Sequence, residues 1–241
     1  MFSPPPDRVP VLPQYREDGA RDAKRLFGGL VGVGVGTHRE HRAAIGRLAE
    51  FRLEPLGAYG PAQRYVVTPE AIRAYAAATD DRAPAAAEGR VAPPVFAIVP
   101  VWETIAPASR SVVTAEARRR VVHYAQDMIL HRPLEPGMSV VSRAAPVALL
   151  EHPKGAQLVI KTETRLEDGA LVNEQYVTEF FRDLPAKTSA GPRPPEHRLS
   201  EDVRGGEPLA ELSYTVAADQ TERYAAASGD DFEIHLDDAA A

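Results

Sequence analysis

A carboxylate and an imidazole stand close together in Ser228-Gly229-Asp230-Asp231-Phe232-Glu233-Ile234-His235-Leu236-Asp237, behind the small-residue run Ala225-Ala226-Ala227. The small residues and Gly229 suit a tight helix end, and the short spacing lets one loop aim Asp230 and His235 into a single cleft. A neutral imidazole takes up or releases a proton near pH 7, and a carboxylate orients a water, so the chemistry on offer is general acid–base work on a water molecule. The same residues also read as an acidic surface turn containing one histidine. A metal site built from Asp230, Glu233, His235 and Asp237 lacks a recognisable ligand spacing, and none is expected.

Such a pair needs elements that hold it. A short helix precedes the pair, with Asp219-Gln220-Thr221-Glu222 as a capping-box pattern near its start and Glu211–Val216 as a strand leading into it. The same unit occurs once before. Tyr65–Asp81 aligns without gaps on Tyr214–Asp230, so that Tyr65, Val67, Tyr75, Ala76, Ala77, Ala78 and Asp81 recur as Tyr214, Val216, Tyr224, Ala225, Ala226, Ala227 and Asp230. In the earlier copy Thr68-Pro69-Glu70 is a helix start, with a hydroxyl cap and proline at the first helical position. Ala86 stands there where the later copy has His235, so the earlier copy lacks a base, and Asp80 and Asp81 read as a helix-end turn.

Between the copies, Ala92–Trp102 reads as a buried apolar helix started by prolines, with Pro100 kinking it. Four strand-like segments follow: Val121–Leu130, Ser139–Leu150, Ala156–Arg165 and Leu171–Arg182. Turns at Glu135–Gly137, Pro153–Gly155 and Glu167–Gly169 separate them, which predicts an antiparallel meander. The order strand, helix, apolar helix, meander is that of an α+β hotdog fold, an antiparallel sheet wrapped around a central helix. We expect a flexible leader over 1–55, a first hotdog over 56–183, a Pro/Gly-rich linker over 184–208, and the beginning of a second hotdog over 209–241. The second copy would still need its central helix and meander beyond Ala241, so the second domain is expected to be truncated.

Ser228-Gly229-Asp230-x-x-x-Ile234-His235-x-Asp237 resembles the Ser-Gly-Asp-x-Asn-Pro-Ile-His-x-Asp signature of MaoC-like (R)-specific enoyl-thioester hydratases and dehydratases. His123-Tyr-Ala-Gln126-Asp127-Met-Ile-Leu-His131-Arg132-Pro133-Leu-Glu-Pro136-Gly137 resembles the His-x-x-Gln-Asp-x-x-x-His-Arg-Pro-Leu-x-Pro-Gly run of the family's N-terminal dehydratase-like domain. The resemblance implies that Asp230 and His235 jointly hold the water added to, or lost from, a 2-enoyl or 3-hydroxyacyl thioester of coenzyme A or acyl carrier protein. It implies no metal or redox cofactor, and a noncatalytic first domain in which His123 and His131 have no catalytic role. The departures are Phe232 at the family's Asn and Glu233 at its Pro. A complementary hotdog chain or a second copy is the partner it implies. The rival reading is a silent acyl-thioester-binding or dimerisation module.

Composition narrows the field. The 241-residue chain is 44% hydrophobic, enough for a core, and carries a net charge of −6, which disfavours nucleic acid and anionic membrane as partners. With no cysteine, disulfides, thiol nucleophiles and zinc–thiolate sites are excluded. Leu26–Gly36 is too short and glycine-rich to span a bilayer, and a cytoplasmic location is expected. That glycine run lacks the strand before it, or the Gly-Lys-Ser/Thr end, that a nucleotide cradle requires. Arg118-Arg119-Arg120 reads as a solvated charge run, ahead of the alternative that it attracts the phosphates of coenzyme A. His38, His41, His152 and His197 carry no evident task, and substrate-binding residues are not legible.

Overall fold

A computed structural model of the chain describes residues 51–195, 203, 206–208 and 210–237. The glycine run, His38, His41 and His197 lie outside the described residues. Residues 51–195 and 215–237 belong to one compact unit. The described residues between 196 and 214 fall in a second unit and are exposed, Leu212 and Tyr214 among them.

The first unit is built on a five-stranded antiparallel sheet: β1 (Gln63–Val66), β2 (Val121–Leu130), β3 (Ser139–His152), β4 (Gly155–Leu166) and β5 (Leu171–Arg182), in the order β1-β3-β4-β5-β2. β3, β4 and β5 form the expected meander, and β2 returns to the far edge beside β5. Alternation sends Leu158, Ile160, Val177 and Phe181 to the core face and Lys161, Glu163 and Tyr176 to the other. On that outer face burial opposes the charge of Glu163. Hydrogen bonds from Tyr59, Lys161 and Arg143 nonetheless hold its carboxyl down at about 2.

Across the core face lies the central segment, and here the structure corrects the expected α-helix. Pro94–Val101 is wound as a 3₁₀-helix and only then continues as α3 (Trp102–Val112). Proline has no N–H to give to the carbonyl four residues back, so Pro100 removes one of the bonds an α-helix would need there. The 3₁₀ stretch is apolar, and Phe96, Ala97, Ile98, Pro100 and Val101 are buried while Val95 at its start is exposed. Two short helices, α2 (Pro84–Ala87) and α4 (Ala115–Arg118), flank it.

α1 (Pro69–Ala78) starts as expected: Thr68 Oγ1 accepts from the Ala71 N–H at 3.1 Å, and Ile72, Tyr75, Ala76 and Ala78 are buried. Its later counterpart, α5 (Gln220–Ser228), packs against it, and Tyr75 meets its own repeat equivalent Tyr224 edge-to-face at 5.9 Å. Both helices end in the left-handed conformation at equivalent positions, Asp80 with φ 52° and Gly229 with φ 84°. The strands do not repeat. Residues 211–216 are exposed and form no strand, in contrast to the expected Glu211–Val216. β1 has the edge of β3 to pair with, whereas no described strand lies beside 211–216, and an unpaired strand is unstable alone.

The domain edges also shift. Phe51 packs edge-to-face on Phe181 at 5.6 Å, and Arg52 N–H donates to Val112 O, so the packed fold begins ahead of residue 56. At the other end Leu184 and Ala186 are buried, and Ala190 bridges to Leu149, so 184–195 belong to the first hotdog rather than to a linker.

Candidate active site

α5 ends on a serine that works twice. Ser228 Oγ donates to Tyr224 O at 2.8 Å and accepts the Asp230 N–H at 3.1 Å, while Gly229 N–H closes on Ala225 O. This fixes the direction in which Asp230 leaves the helix. A 3₁₀ turn over Glu233–His235, closed by His235 N–H on Phe232 O at 2.9 Å, then swings the imidazole back. His235 Nε2 comes to 3.7 Å from Asp230 Oδ2. The carboxylate side chain is 13% exposed and the imidazole 48%, so the pair has a buried end and an open end.

A separation of 3.7 Å is longer than a direct hydrogen bond, yet one water about 2.8 Å from each atom can touch both. The other carboxylate oxygen, Oδ1, is buried with no hydrogen-bond partner among the described residues. A buried charged acceptor costs free energy until it meets a donor, so the site is set to hold one. Gln220, Thr221, Tyr224, Asp230 and His235 line a cleft of about 220 Å³. Phe232, at the Asn position of the resembling motif, is 44% exposed, and Glu233 is exposed.

α5 is anchored by its contacts with α1. Gln220 Nε2 donates to Ala78 O, and Arg223 donates to Ala77 O at 3.0 Å and reaches Asp80 at 3.3 Å, so carbonyls at the end of α1 are capped by the later copy. The earlier copy has no equivalent chemistry. Asp81 Oδ1 accepts the Ala83 N–H at 2.8 Å in its own turn, and Ala86 is buried in α2.

His131 pairs with Glu174 at 3.1 Å on the outer face of the sheet. His123 does more than that. It lies on the edge strand β2, opposite Glu179, and its Nε2 contacts Gln126 Oε1 at 3.0 Å. Desolvation pushes this imidazole below its ordinary value, opposed by Gln126 and by the charge of Asp230, while His235 lowers it further. The imidazole therefore feels both members of the Asp230–His235 pair. Sequence position alone did not show this; its motif lies between the two copies, about a hundred residues before Asp230.

Arg118 is not part of a solvated run either. Its guanidinium is half-buried, with Nε enclosed, and it acts on Glu179, whose carboxylate accepts Ser109 Oγ–H at 2.6 Å. Burial raises Glu179 from 4.5 to about 7, against the opposing effects of Ser109 and Arg118. An acid whose folded pKa exceeds its unfolded value binds its proton more tightly when folded. The contribution of Glu179 to stability is then full below about 4.5 and is lost as pH rises through about 7. Glu179→Gln is expected to flatten that decline, read as urea midpoints at the two ends of the window; an unchanged slope removes Glu179 as its source.

The antiparallel sheet around a central helical segment makes the chain a hotdog protein. Residues 56–175 match the family described as FAS1-like, dehydratase domain region. Among solved structures, the chain is similar to a MaoC-like dehydratase from Phytophthora capsici (TM-score 0.62, 16% identity, covering 77% of this chain and 67% of that one). It is similar to HtdX of Mycobacterium tuberculosis (TM-score 0.52, 19% identity, covering 75% and 66%). It is also similar to the peroxisomal multifunctional enzyme type 2 of Drosophila melanogaster (TM-score 0.53, 17% identity, covering 96% and 42%). The chain thus spans 66% of the length of HtdX. No curated protein matches it significantly. The chain shares the hotdog fold of these MaoC-like dehydratases. No helix among the described residues is long and apolar enough to cross a membrane.

Proposed function

We propose that the chain hydrates 2-enoyl thioesters and dehydrates 3-hydroxyacyl thioesters, with coenzyme A or an acyl carrier protein as the thiol carrier. The observation that carries this reading is the buried, unpartnered oxygen of Asp230 beside an imidazole on the rim of one cleft. In hydration, water held by Asp230 gives a proton to His235, and its oxygen bonds to C3. The C2–C3 π electrons move onto the thioester as an enolate. The imidazolium then returns a proton to C2, which restores neutral His235. Dehydration is the reverse. No metal or redox group enters this balance.

The enolate needs donors near its oxygen, each worth about 3 kcal/mol in such sites. Among the described residues the later repeat contributes a helix and a loop but no strand, so we assign those donors to a further hotdog, in a complementary chain or a second copy. Loss of enoyl absorbance on mixing 2-enoyl-CoA with the chain, alone and with candidate hotdog partners, tests the reading, and turnover in at least one pairing is expected. Phe232 in place of Asn favours the second reading, a silent acyl-thioester-binding module. Acyl-CoA binding without turnover in every pairing would establish that module and end the hydratase assignment.

A further inference from the structure

The end of the sheet where β2 begins gathers cations from several elements. Arg182 N–H donates to Arg120 O at 3.3 Å, Gly155 pairs with Arg182, and Lys154 O accepts the Asp183 N–H at 2.9 Å, which sets Arg120, Arg182 and Lys154 side by side across β2, β5 and the β3–β4 turn. At the close of α3, Arg52 Nη2 donates to Arg110 O at 3.2 Å. Phe51, next to Arg52, packs on Phe181, next to Arg182, at 5.6 Å, so the two groups share one end of the fold. Val113 and Thr114 join α3 to α4, whose last residue Arg118 is followed by Arg119 and Arg120.

These side chains face water rather than one another's counter-charges. Arg52, Arg110, Arg119, Lys154 and Arg182 are exposed, and Arg120 is half-buried. Among the described residues Arg52, Arg110, Arg119 and Arg120 form no ion pair, whereas Arg143, Lys161 and Arg165 on the outer face all share Glu163. The adjoining acids are Glu116, Asp183 and Glu179, and the last is turned inward to Ser109. In a chain of net charge −6 this end is a local reversal of sign.

α3 serves as a ruler from this end to the reactive pair. Gly229, which precedes Asp230, sits against Trp102 at the start of α3, where a Cβ on the glycine would lie 3.4 Å from the indole. Arg110 is eight residues further along the same helix, about 12 Å at 1.5 Å per residue. The phosphopantetheine arm runs from its sulfur to its phosphate through about thirteen bonds, roughly 15 Å when extended. A carrier seated at the Arg110 end can therefore lay its thioester at Asp230. From β2 across β5 and β4 to the turn at Lys154 the cations spread over about 10–15 Å of strand spacing. That breadth suits an acidic protein surface, whereas the phosphates of one nucleotide call for donors converging in a concave site.

From this placement we infer that the cationic end of the sheet is the docking surface of an acidic acyl carrier protein, which delivers its thioester along α3 to the Asp230–His235 pair. The inference rests on reading Asp230 and His235 as the working pair, and it selects the carrier protein over coenzyme A as the thiol carrier.

The probe is an acyl carrier protein loaded with a butanoyl group, which has no double bond to hydrate, so that binding to the full chain, with any partner that activity requires, is read by calorimetry apart from turnover. The wild-type Kd is expected to rise about tenfold from about 50 to about 300 mM salt. In the Arg119→Glu, Arg120→Glu double variant it should rise about tenfold or more at low salt, and Arg110→Glu alone should rise severalfold. Arg64→Glu makes the same change of charge on β1, at the opposite edge of the sheet, and should shift Kd less than about twofold. Butanoyl-CoA should likewise shift less than about threefold in the double variant. Carrier binding that is indifferent to salt, or equally tight in a double variant that melts with wild type, overturns the docking surface. An equal loss for butanoyl-CoA overturns it too, and assigns these cations to the nucleotide phosphates instead. If 2-butenoyl thioesters of both carriers stay unhydrated in every pairing, the hydratase reading fails, and the butanoyl titrations alone decide whether the carrier docks here.

Discussion

An Asp230→Asn chain is expected to hydrate 2-enoyl-CoA about a thousandfold more slowly than wild type, with little change in KM. The substitution keeps the size of the side chain and removes its charge. It also turns one acceptor into a donor pair facing His235, so the water loses the group that orients it toward the substrate. The fold has little stake in the change. Asp230 Oδ1 has no partner to lose among the described residues, and an ion pair at 3.7 Å to a half-exposed imidazole contributes at most about 1 kcal/mol. The melting transition should therefore stay near that of wild type, which separates loss of chemistry from loss of structure. His235→Ala should fall by a similar factor, and the double variant should be scarcely slower than either single one, because the two groups act on one water. A Asp230→Asn chain that keeps a tenth or more of wild-type kcat would falsify the assignment of that carboxylate.

Much of the fold was legible because it follows from local rules. The strands over 121–130 and 171–182 show at the residues expected, since turn chemistry at Glu135–Gly137 and Glu167–Gly169 brackets segments that can only be extended. The central segment was legible as apolar and buried, but its 3₁₀ winding depends on what Pro100 withholds from one particular carbonyl. Residues 211–216 alternate like a strand and form none, because pairing belongs to a neighbour and not to the segment itself. In the site, the spacing of Asp230 and His235 told that they could share a cleft, and the repeat told that the earlier copy lacked a base. That the charges of that pair bear on the His123 imidazole was not legible. That influence is a tertiary fact, since pairing with β5 sets His123, and the amides behind it, Gln126 and Gln175, run on to the Ala97 carbonyl and so join residues as far apart in sequence as Ala97 and Gln175.

Phe96→Ala is expected to cost about 3–5 kcal/mol, the range for deleting a fully enclosed aromatic ring, against a total stability of about 5–15 kcal/mol. Phe96 is 0% exposed and stands at the centre of an aromatic chain. Its ring meets Tyr65 of β1 at 6.3 Å and Tyr75 of α1 at 5.4 Å, both edge-on, and Tyr75 passes the contact to Tyr224 of α5 at 5.9 Å. Removing the ring deletes two edge-to-face pairs, each worth about 0.5–1.5 kcal/mol beyond area, and opens a void beneath a 3₁₀ segment whose prolines limit how it can relax. The readout is a fall in the urea midpoint at unchanged slope, since the surface exposed on unfolding is nearly the same. Phe96→Leu keeps most of the buried area and should cost clearly less. A loss below about 1 kcal/mol for the alanine variant would mean that the ring does not hold β1 and α1 together. Tyr75 is also what α5 packs against, so the same deletion should loosen the support of the Asp230 loop. Under conditions where the alanine chain remains folded, enoyl-CoA turnover should then fall further in that chain than in the leucine chain.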